Sequence, residues 1–190
     1  MIRGDLTNLR AIDRGDDNLL FAWLNDPAVM AGWGVPDQTL SRTEIQRRME
    51  RYLEEERSLG RPAALIIETL DGEPVGLVIL SQYATPAAST EVSILIGDPS
   101  RWGQGLGSDA LGAVLDACFD AWNLHRVWLR AEADNTRAGR LYARLGFTHE
   151  GTLRDATYRD GEYVDVLVYG LLRGNLNPAD ADIHLPGTYH

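Results

Sequence analysis

Between Trp102 and Ala110 the chain reads Trp-Gly-Gln-Gly-Leu-Gly-Ser-Asp-Ala, with glycines at 103, 105 and 107. An apolar, β-branched run, Val92 to Ile96, precedes them, and Leu111, Val114, Leu115, Cys118, Phe119 and Trp122 follow at helical spacing. A strand, a glycine turn and a helix start make an anion site, because free backbone N–H groups project outward there and the helix dipole favours negative charge. Without a Cβ, Gly103, Gly105 and Gly107 let the backbone approach a phosphate closely. The chemistry this implies is the binding of a nucleotide-like ligand.

The glycines alone leave the ligand open. Gly107 is followed by Ser108-Asp109, so no lysine is placed for the β- and γ-phosphates of a P-loop. A dinucleotide fingerprint needs G-x-G-x-x-G and an acid about 20 residues on. Here the spacing is G-x-G-x-G, although Glu132, after the strand Arg126 to Ala131, imitates the ribose acid. A plain glycine turn holding nothing is the remaining alternative. A second constellation lies downstream. Asn135 stands at a helix N-cap position just after a strand, and Tyr142 lies seven residues on, two turns along the same face. An amide and a phenol so placed address one cleft.

These groups need a scaffold, and 190 residues suffice for one domain with a substantial core. Hydrophobic content of 44% and charged content of 24% are globular values. The net charge of −10 argues against a partner made of nucleic-acid phosphates and favours cationic substrates. Cys118, the single cysteine, falls on an apolar helix stripe and reads as a small core residue, so no disulfide framework is expected. The charged N-terminus lacks a signal-peptide core, and no run reaches the ~20 apolar residues of a membrane helix. A soluble, cytoplasmic protein without membrane association is expected.

Leu6 to Ile12 reads as a first strand, and Asp13 as the cap of a helix carrying Leu19, Leu20, Trp23 and Leu24, with Asp16 in its first turn and Asn25-Asp26-Pro27 as its stop. A loop with Trp33 follows, from Ala31 to Pro36. The capping box Ser41-Arg42-Thr43-Glu44 opens a second helix that buries Ile45, Met49, Tyr52 and Leu53. Ala63 to Leu70 and Val75 to Tyr83 form a hairpin around Asp71-Gly72. After a loop from Ala84 to Ser89 come the strand Glu91 to Ile96, the glycine turn and the long helix. Val127 to Ala131 is the next strand, and Thr136 to Leu145 a short helix ended by Gly146. Phe147 to Tyr158 and Tyr163 to Leu171 form a final pair around Asp160-Gly161. From Arg173 the chain is polar and irregular, a loosely docked tail with Pro178 and Pro186. The strand–helix–strand unit around the glycines places two parallel neighbours in an otherwise antiparallel sheet.

The segment Asn135 through Leu141-Tyr142-Ala143-Arg144-Leu145-Gly146-Phe147, then Glu150-Gly151 and Leu153-Arg154, resembles the "N…LYekLGF…EG.lR" signature of the GNAT superfamily of acyl-CoA N-acyltransferases, in its RimJ/RimL-like branch. Trp102 to Gly107 resembles that family's pyrophosphate motif, with Trp102 at the position usually held by Gln or Arg. The likeness spans Leu6 to Leu172. It implies an α/β (α+β) GNAT fold: a single mixed, mostly antiparallel sheet of about seven strands with flanking helices. Residues 1–172 would be the N-acetyltransferase domain and 173–190 a C-terminal tail.

What the resemblance implies carries over residue by residue. Backbone groups of Ile94, Leu95 and Ile96 would pair with the pantetheine arm of acetyl-CoA where the sheet splays. An N–H near Leu95 would polarise the thioester carbonyl. Backbone N–H groups of Gln104, Gly105, Leu106, Gly107 and Ser108 would hold the pyrophosphate, and Asn135 would hydrogen-bond the pantetheine. Tyr142 would protonate the leaving thiolate, since a phenol of ordinary pKa near 10 is protonated at neutral pH. Glu91, fourteen residues before Gly105, takes the family's glutamate position as base; an exposed strand acid is the alternative. Asp165 matches a position that binds a cationic substrate, against a plain polar strand residue. Trp33 lies in the loop bordering the acceptor site. Transfer would be direct, through a tetrahedral intermediate, to an amine of a small molecule or a protein N-terminus, and a homodimer is allowed.

Other residues take plainer readings. Trp23, Trp122 and Trp128 are core residues, and Arg137, Arg140 and Arg144 are solvated helix residues, or CoA phosphate partners. His125, His149, His184 and His190 lack metal-ligand spacing, so no metal is expected. Two rival functions remain. A non-catalytic acyl-CoA-binding sensor would lack the acid that Tyr142 provides. A nicotinamide oxidoreductase would carry its glycines near the first strand.

Overall fold

The computed structural model describes residues 1–33 and 39–175. Its strands are β1 (Ile2–Arg3), β2 (Thr7–Ala11), β3 (Ala64–Thr69), β4 (Pro74–Ala84), β5 (Ser89–Ile96), β6 (Arg126–Glu132), β7 (Thr148–Arg159) and β8 (Glu162–Leu172). They form one eight-stranded sheet in the order β1-β2-β3-β4-β5-β6-β8-β7, antiparallel except for β5 and β6. The strand beyond the expected seven is β1, too short to show a pattern in sequence. It is anchored by Asp109, whose carboxylate accepts the Asp5 N–H at 2.8 Å, the Leu6 N–H at 3.1 Å and the Thr7 hydroxyl at 2.6 Å.

Five helices cover the sheet: α1 (Asp17–Trp23), α2 (Pro27–Ala31), α3 (Arg42–Leu59), α4 (Leu106–Asp116) and α5 (Thr136–Arg144). Three depart from expectation. A 3₁₀ turn, Arg14–Asp16, precedes α1, and the capping contact is made by the buried Asp16, which accepts the Asp13 N–H at 2.8 Å. Asp26-Pro27, expected to be only a stop, also starts α2: the Asp26 carboxylate accepts the Ala28 and Val29 N–H groups, and proline suits the first turn. The long helix is α only to Asp116 and continues as a π turn over Ala117–Ala121. The capping box behaves as read, with Ser41 accepting the Glu44 N–H and left-handed Gly60 ending α3. Arg173–Asn175 form a 3₁₀ turn tied down by Arg173 N–H to the His125 carbonyl at 3.0 Å, while tail residues 176–190, with His184, His190 and both prolines, lie outside the described residues, as do Gly34 to Pro36 of the Trp33 loop.

Two apolar layers form on opposite faces of the sheet. On one, Val92, Val127 and Leu129 pack with α4 residues Leu111, Val114 and Leu115 and with Tyr142 of α5. On the other, Leu77 and Leu95 pack with Leu20, Trp23, Met30 and Ile45 from α1 to α3. Cys118 is fully buried in the first layer, and burial pushes its thiol up to about 12, in keeping with a core residue. Trp23 is buried, whereas Trp122 and Trp128 are half-buried rather than enclosed.

The feature that makes a site is a failure of pairing. β5 and β6 are in register only at Ser89–Arg126, Thr90–Val127 and Glu91–Trp128. Beyond them β5 stays with β4 to Ile96, and β6 stays with β8 to Glu132. The two strands diverge, opening the sheet between them.

Candidate functional site

A cleft of about 810 Å³ occupies this opening. Its walls come from β5, the glycine turn with the start of α4, the end of β6, and α5, with Trp33 at one side. Gly97 donates its N–H to the Val75 carbonyl at 2.9 Å. Residues of an antiparallel ladder alternate in the neighbour they address, so Gly97, Leu95 and Ser93 turn their backbone to β4. Ile94 and Ile96 turn theirs to the cleft. This corrects the expectation for Leu95: its N–H and carbonyl face the ladder and its side chain is in the α1–α3 layer, leaving Ile94 and Ile96 as the backbone edge. Both cleft-facing carbonyls are met by indoles. Trp33 Nε1 donates to the Ile94 carbonyl at 3.3 Å, and Trp102 Nε1 to the Ile96 carbonyl at 2.9 Å. Trp102, at the motif's variant position, is thus a strand-edge partner.

The glycine turn leads into α4 as the sequence implies. Gly103 and Gly105 have φ of 82° and 86°, left-handed values that glycine adopts without strain. Gly105 caps α4, and the first helical bond runs from the Asp109 N–H to the Gly105 carbonyl at 3.0 Å. The N–H groups of Leu106, Gly107 and Ser108 therefore precede the ladder at the positive end of the dipole. An acid in the first turn would spoil this seat, but the Asp109 carboxylate is drawn off to residues 5–7. Arg101, Arg137 and Arg144 line the cleft, and the Arg137 guanidinium lies 5.9 Å from the Trp102 ring centre. The seat fits a pyrophosphate. Gln104 is exposed, with its side-chain amide donating to the Ser100 carbonyl at 3.1 Å, and neither it nor Arg140 is among the lining residues.

Asn135 caps α5, its side-chain oxygen accepting the Ala138 N–H at 3.1 Å, which leaves the amide N–H₂ as its free donor at the cleft. Tyr142 is 8% exposed and packs against Phe147 and Tyr169 at ring-centre distances of 5.9 and 5.6 Å. Burial, with Tyr169 adding to it, pushes its phenol up to about 12. The hydroxyl at the cleft is thus held protonated.

Glu91 is not an exposed strand acid. Its side chain is 6% exposed, and its carboxylate accepts Arg130 Nε at 2.7 Å, Arg130 Nη2 at 3.3 Å and the Gln82 amide at 2.8 Å. Asp165, next to the lining residue Val166, does not itself line the cleft. It accepts the Asp155 N–H at 2.9 Å, where the β7–β8 register shifts and Asp155 has φ of 51°.

Arg101 went unread as a cleft residue, and so did two residues of β6, Arg130 and Glu132, the second met in the sequence only as a mimic of a ribose acid. Both alternate with apolar Leu129 and Ala131 on β6, a period-2 signal that places Glu91, Trp128, Arg130 and Glu132 on one face given the β5–β6 register. Glu132 accepts a hydrogen bond from Arg159, which also pairs with Asp134. Burial, opposed by Arg159 and reinforced by Asp134, raises its carboxyl above the ordinary value. Among the described residues no group of three or more His, Cys, Asp or Glu side chains is placed to hold a metal ion, and no helix is long and apolar enough to cross a membrane.

A family model described as acetyltransferase (GNAT) domain matches residues 7–148. A spermidine N(1)-acetyltransferase of Vibrio cholerae is 27% identical over 158 residues, covering 83% of this chain and 88% of its own. An uncharacterized N-acetyltransferase p20 of Bacillus licheniformis is 27% identical over 166 residues, covering 87% and 92%. The crystal structure of spermidine N-acetyltransferase from Vibrio cholerae in complex with CoA and spermine superposes with a TM-score of 0.80 at 26% identity, over 90% of this chain and 98% of that one.

Proposed function

The chain belongs to the acetyltransferase (GNAT) family, and from that premise we propose that it acetylates a small, cationic amine, using Tyr142 as acid and Glu91 as base. It is an acyl-CoA-dependent N-acetyltransferase with acetyl-CoA as co-substrate. The observation that carries the assignment of residues is that one cleft holds the glycine seat, the Ile94–Ile96 edge, the Tyr142 phenol and the Glu91 carboxylate. A small polyamine acceptor is supported by the spermidine acetyltransferase relatives and by the net charge of −10. The Leu141–Phe147 segment with Glu150-Gly151 supports a place in the RimJ/RimL-like branch.

Acetyl-CoA supplies an activated acyl carbon and a thiolate leaving group. The Leu106, Gly107 and Ser108 N–H groups hold its pyrophosphate, with Arg101 and Arg137 adding charge. Ile94 and Ile96 extend the sheet to its amide arm, and Asn135 donates to it. With both reactants in one cleft, transfer proceeds at high effective concentration. As the C–N bond forms and the C–S bond breaks, the amine proton leaves toward Glu91, through water given that carboxylate's existing partners. The Tyr142 phenolic proton passes to sulfur.

The test is free-thiol release from acetyl-CoA across spermidine, an aminoglycoside, an amino acid and a peptide N-terminus. Turnover on spermidine above the other acceptors is expected. Turnover confined to the peptide would overturn the small-amine reading. Acetyl-CoA at 100 Kd should also stabilise the fold by about 2.7 kcal/mol, and stabilisation by NAD in its place would contradict it.

A further inference from the structure

Glu132 stands at the end of β6, where the sheet has opened, and its side chain is 9% exposed. One carboxylate oxygen, Oε2, is taken by Arg159. The other, Oε1, is fully buried and has no hydrogen-bond partner within the protein, the one such side-chain atom among the described residues. A buried carboxylate oxygen left unpaired is costly, and a partner supplied from outside the chain is the natural explanation. Strand alternation puts Glu132 on the same face as Glu91 and Arg130, the face covered by α1–α3 and Trp33, and away from α4 and α5, which form the anion seat. Glu132 is among the residues lining the cleft, so the unpaired oxygen lies in the cleft wall on the face opposite the anion seat. The charges around it are Arg159, Asp134 and, two residues back on β6, Arg130, whose guanidinium is already committed to Glu91.

Resting on the N-acetyltransferase reading above, we propose that Glu132 is a specificity-determining residue that receives, on Oε1, a second ammonium of the acceptor, distinct from the amine that is acetylated. Arg159 fixes the carboxylate by holding Oε2 and is itself neutralised by Asp134, so the free oxygen keeps its attraction for a cation. An acceptor with one amine and an apolar tail leaves that oxygen unpaired. A diamine fills it.

The experiment compares 1,4-diaminobutane with n-butylamine on the CoA-bound full chain, wild type and Glu132→Gln, by calorimetry and by thiol release. Glutamine keeps the shape and an oxygen for Arg159 but removes the charge. The expected result is a ten- to hundredfold weaker diamine affinity in Glu132→Gln, with butylamine and CoA affinities within twofold of wild type and the diamine loss appearing in KM rather than kcat. Equal diamine binding by the two proteins overturns the proposal, as does an equal loss for both amines. An Arg159→Gln variant separates folding from recognition: it should keep the preference for the diamine, and losing it while Glu132→Gln does not would assign the role elsewhere. Failure of wild type to release thiol with any amine would refute the acetyltransfer roles, while the binding comparison still decides the role of Glu132.

Discussion

Glu91 and Arg130 meet across the parallel β5–β6 junction, Arg130 Nε donating to Glu91 Oε1 at 2.7 Å one step before the strands part. The pair serves two purposes. It compensates a carboxylate that is 94% buried by side chain, and it pins the apex of the cleft. Arg130 itself remains half-exposed, so water reaches the charge from its side.

Removing either member therefore has unequal effects. Arg130→Leu leaves a buried carboxylate with the Gln82 amide as its main partner and should destabilise the fold by about 1–3 kcal/mol. Glu91→Gln should cost less stability but lower kcat by about a hundredfold, the usual worth of a positioned base. Denaturant melts and a double-mutant cycle measure the first, steady-state rates the second. Full turnover in Glu91→Gln would assign deprotonation to water or another acid.

Tyr142→Phe should keep the fold and acetyl-CoA affinity while lowering kcat by about 10²- to 10⁴-fold. The phenol is pushed up to about 12 by burial, against an ordinary value near 10. The folded state thus binds this proton more tightly than the unfolded chain. The stability it contributes is complete below pH 10 and is lost as pH rises from 10 through 12. In wild type, thermal melts should fall over that interval more steeply than in Tyr142→Phe. Rates should show no alkaline loss from Tyr142 below pH 10.

Gly105→Ala places a Cβ on a residue with φ of 86° at the α4 cap. Left-handed strain should cost about 1–2 kcal/mol and weaken CoA binding by disturbing the seat. Gly15→Ala is the control, since its Cβ meets nothing within 4 Å and its φ is not left-handed. Equal melting losses in the two variants would show that the cap geometry is not what Gly105 supplies.

The indoles of Trp33 and Trp102 occupy the carbonyls of Ile94 and Ile96, the edge assigned to the pantetheine arm. Binding of desulfo-CoA should therefore change tryptophan emission, and the change should shrink in Trp102→Phe. That variant should bind within threefold of wild type, because it frees a carbonyl. A tenfold loss of affinity would mean that the indole itself contacts the ligand.

Much of the scaffold was legible because local chemistry dictates it. The β-rich runs of β3 to β8, the Ser41 cap, the Asp71-Gly72 and Asp160-Gly161 turns, and the glycine entry to α4 were readable from neighbours in sequence. The short β1 and α2 were not. The first depends on Asp109, more than a hundred residues away, and the second on a proline that starts a helix as readily as it stops one.

By itself the sequence carried the family, through the resemblance of its motifs, and it made the glycine turn into α4, the Asn135 cap and the helix bearing Tyr142 legible, because these depend on glycine freedom, cap chemistry and helical period, all local. Which backbone groups face the cleft was a tertiary matter. The β4–β5 ladder turned Leu95 away and presented Ile94 and Ile96, a parity that no single strand carries. Asp165 went to a bulge and Glu132 to the cleft for the same reason: both are acids near strand ends, and only the pairing of β6, β7 and β8 decides which meets a backbone N–H and which keeps an oxygen unpaired.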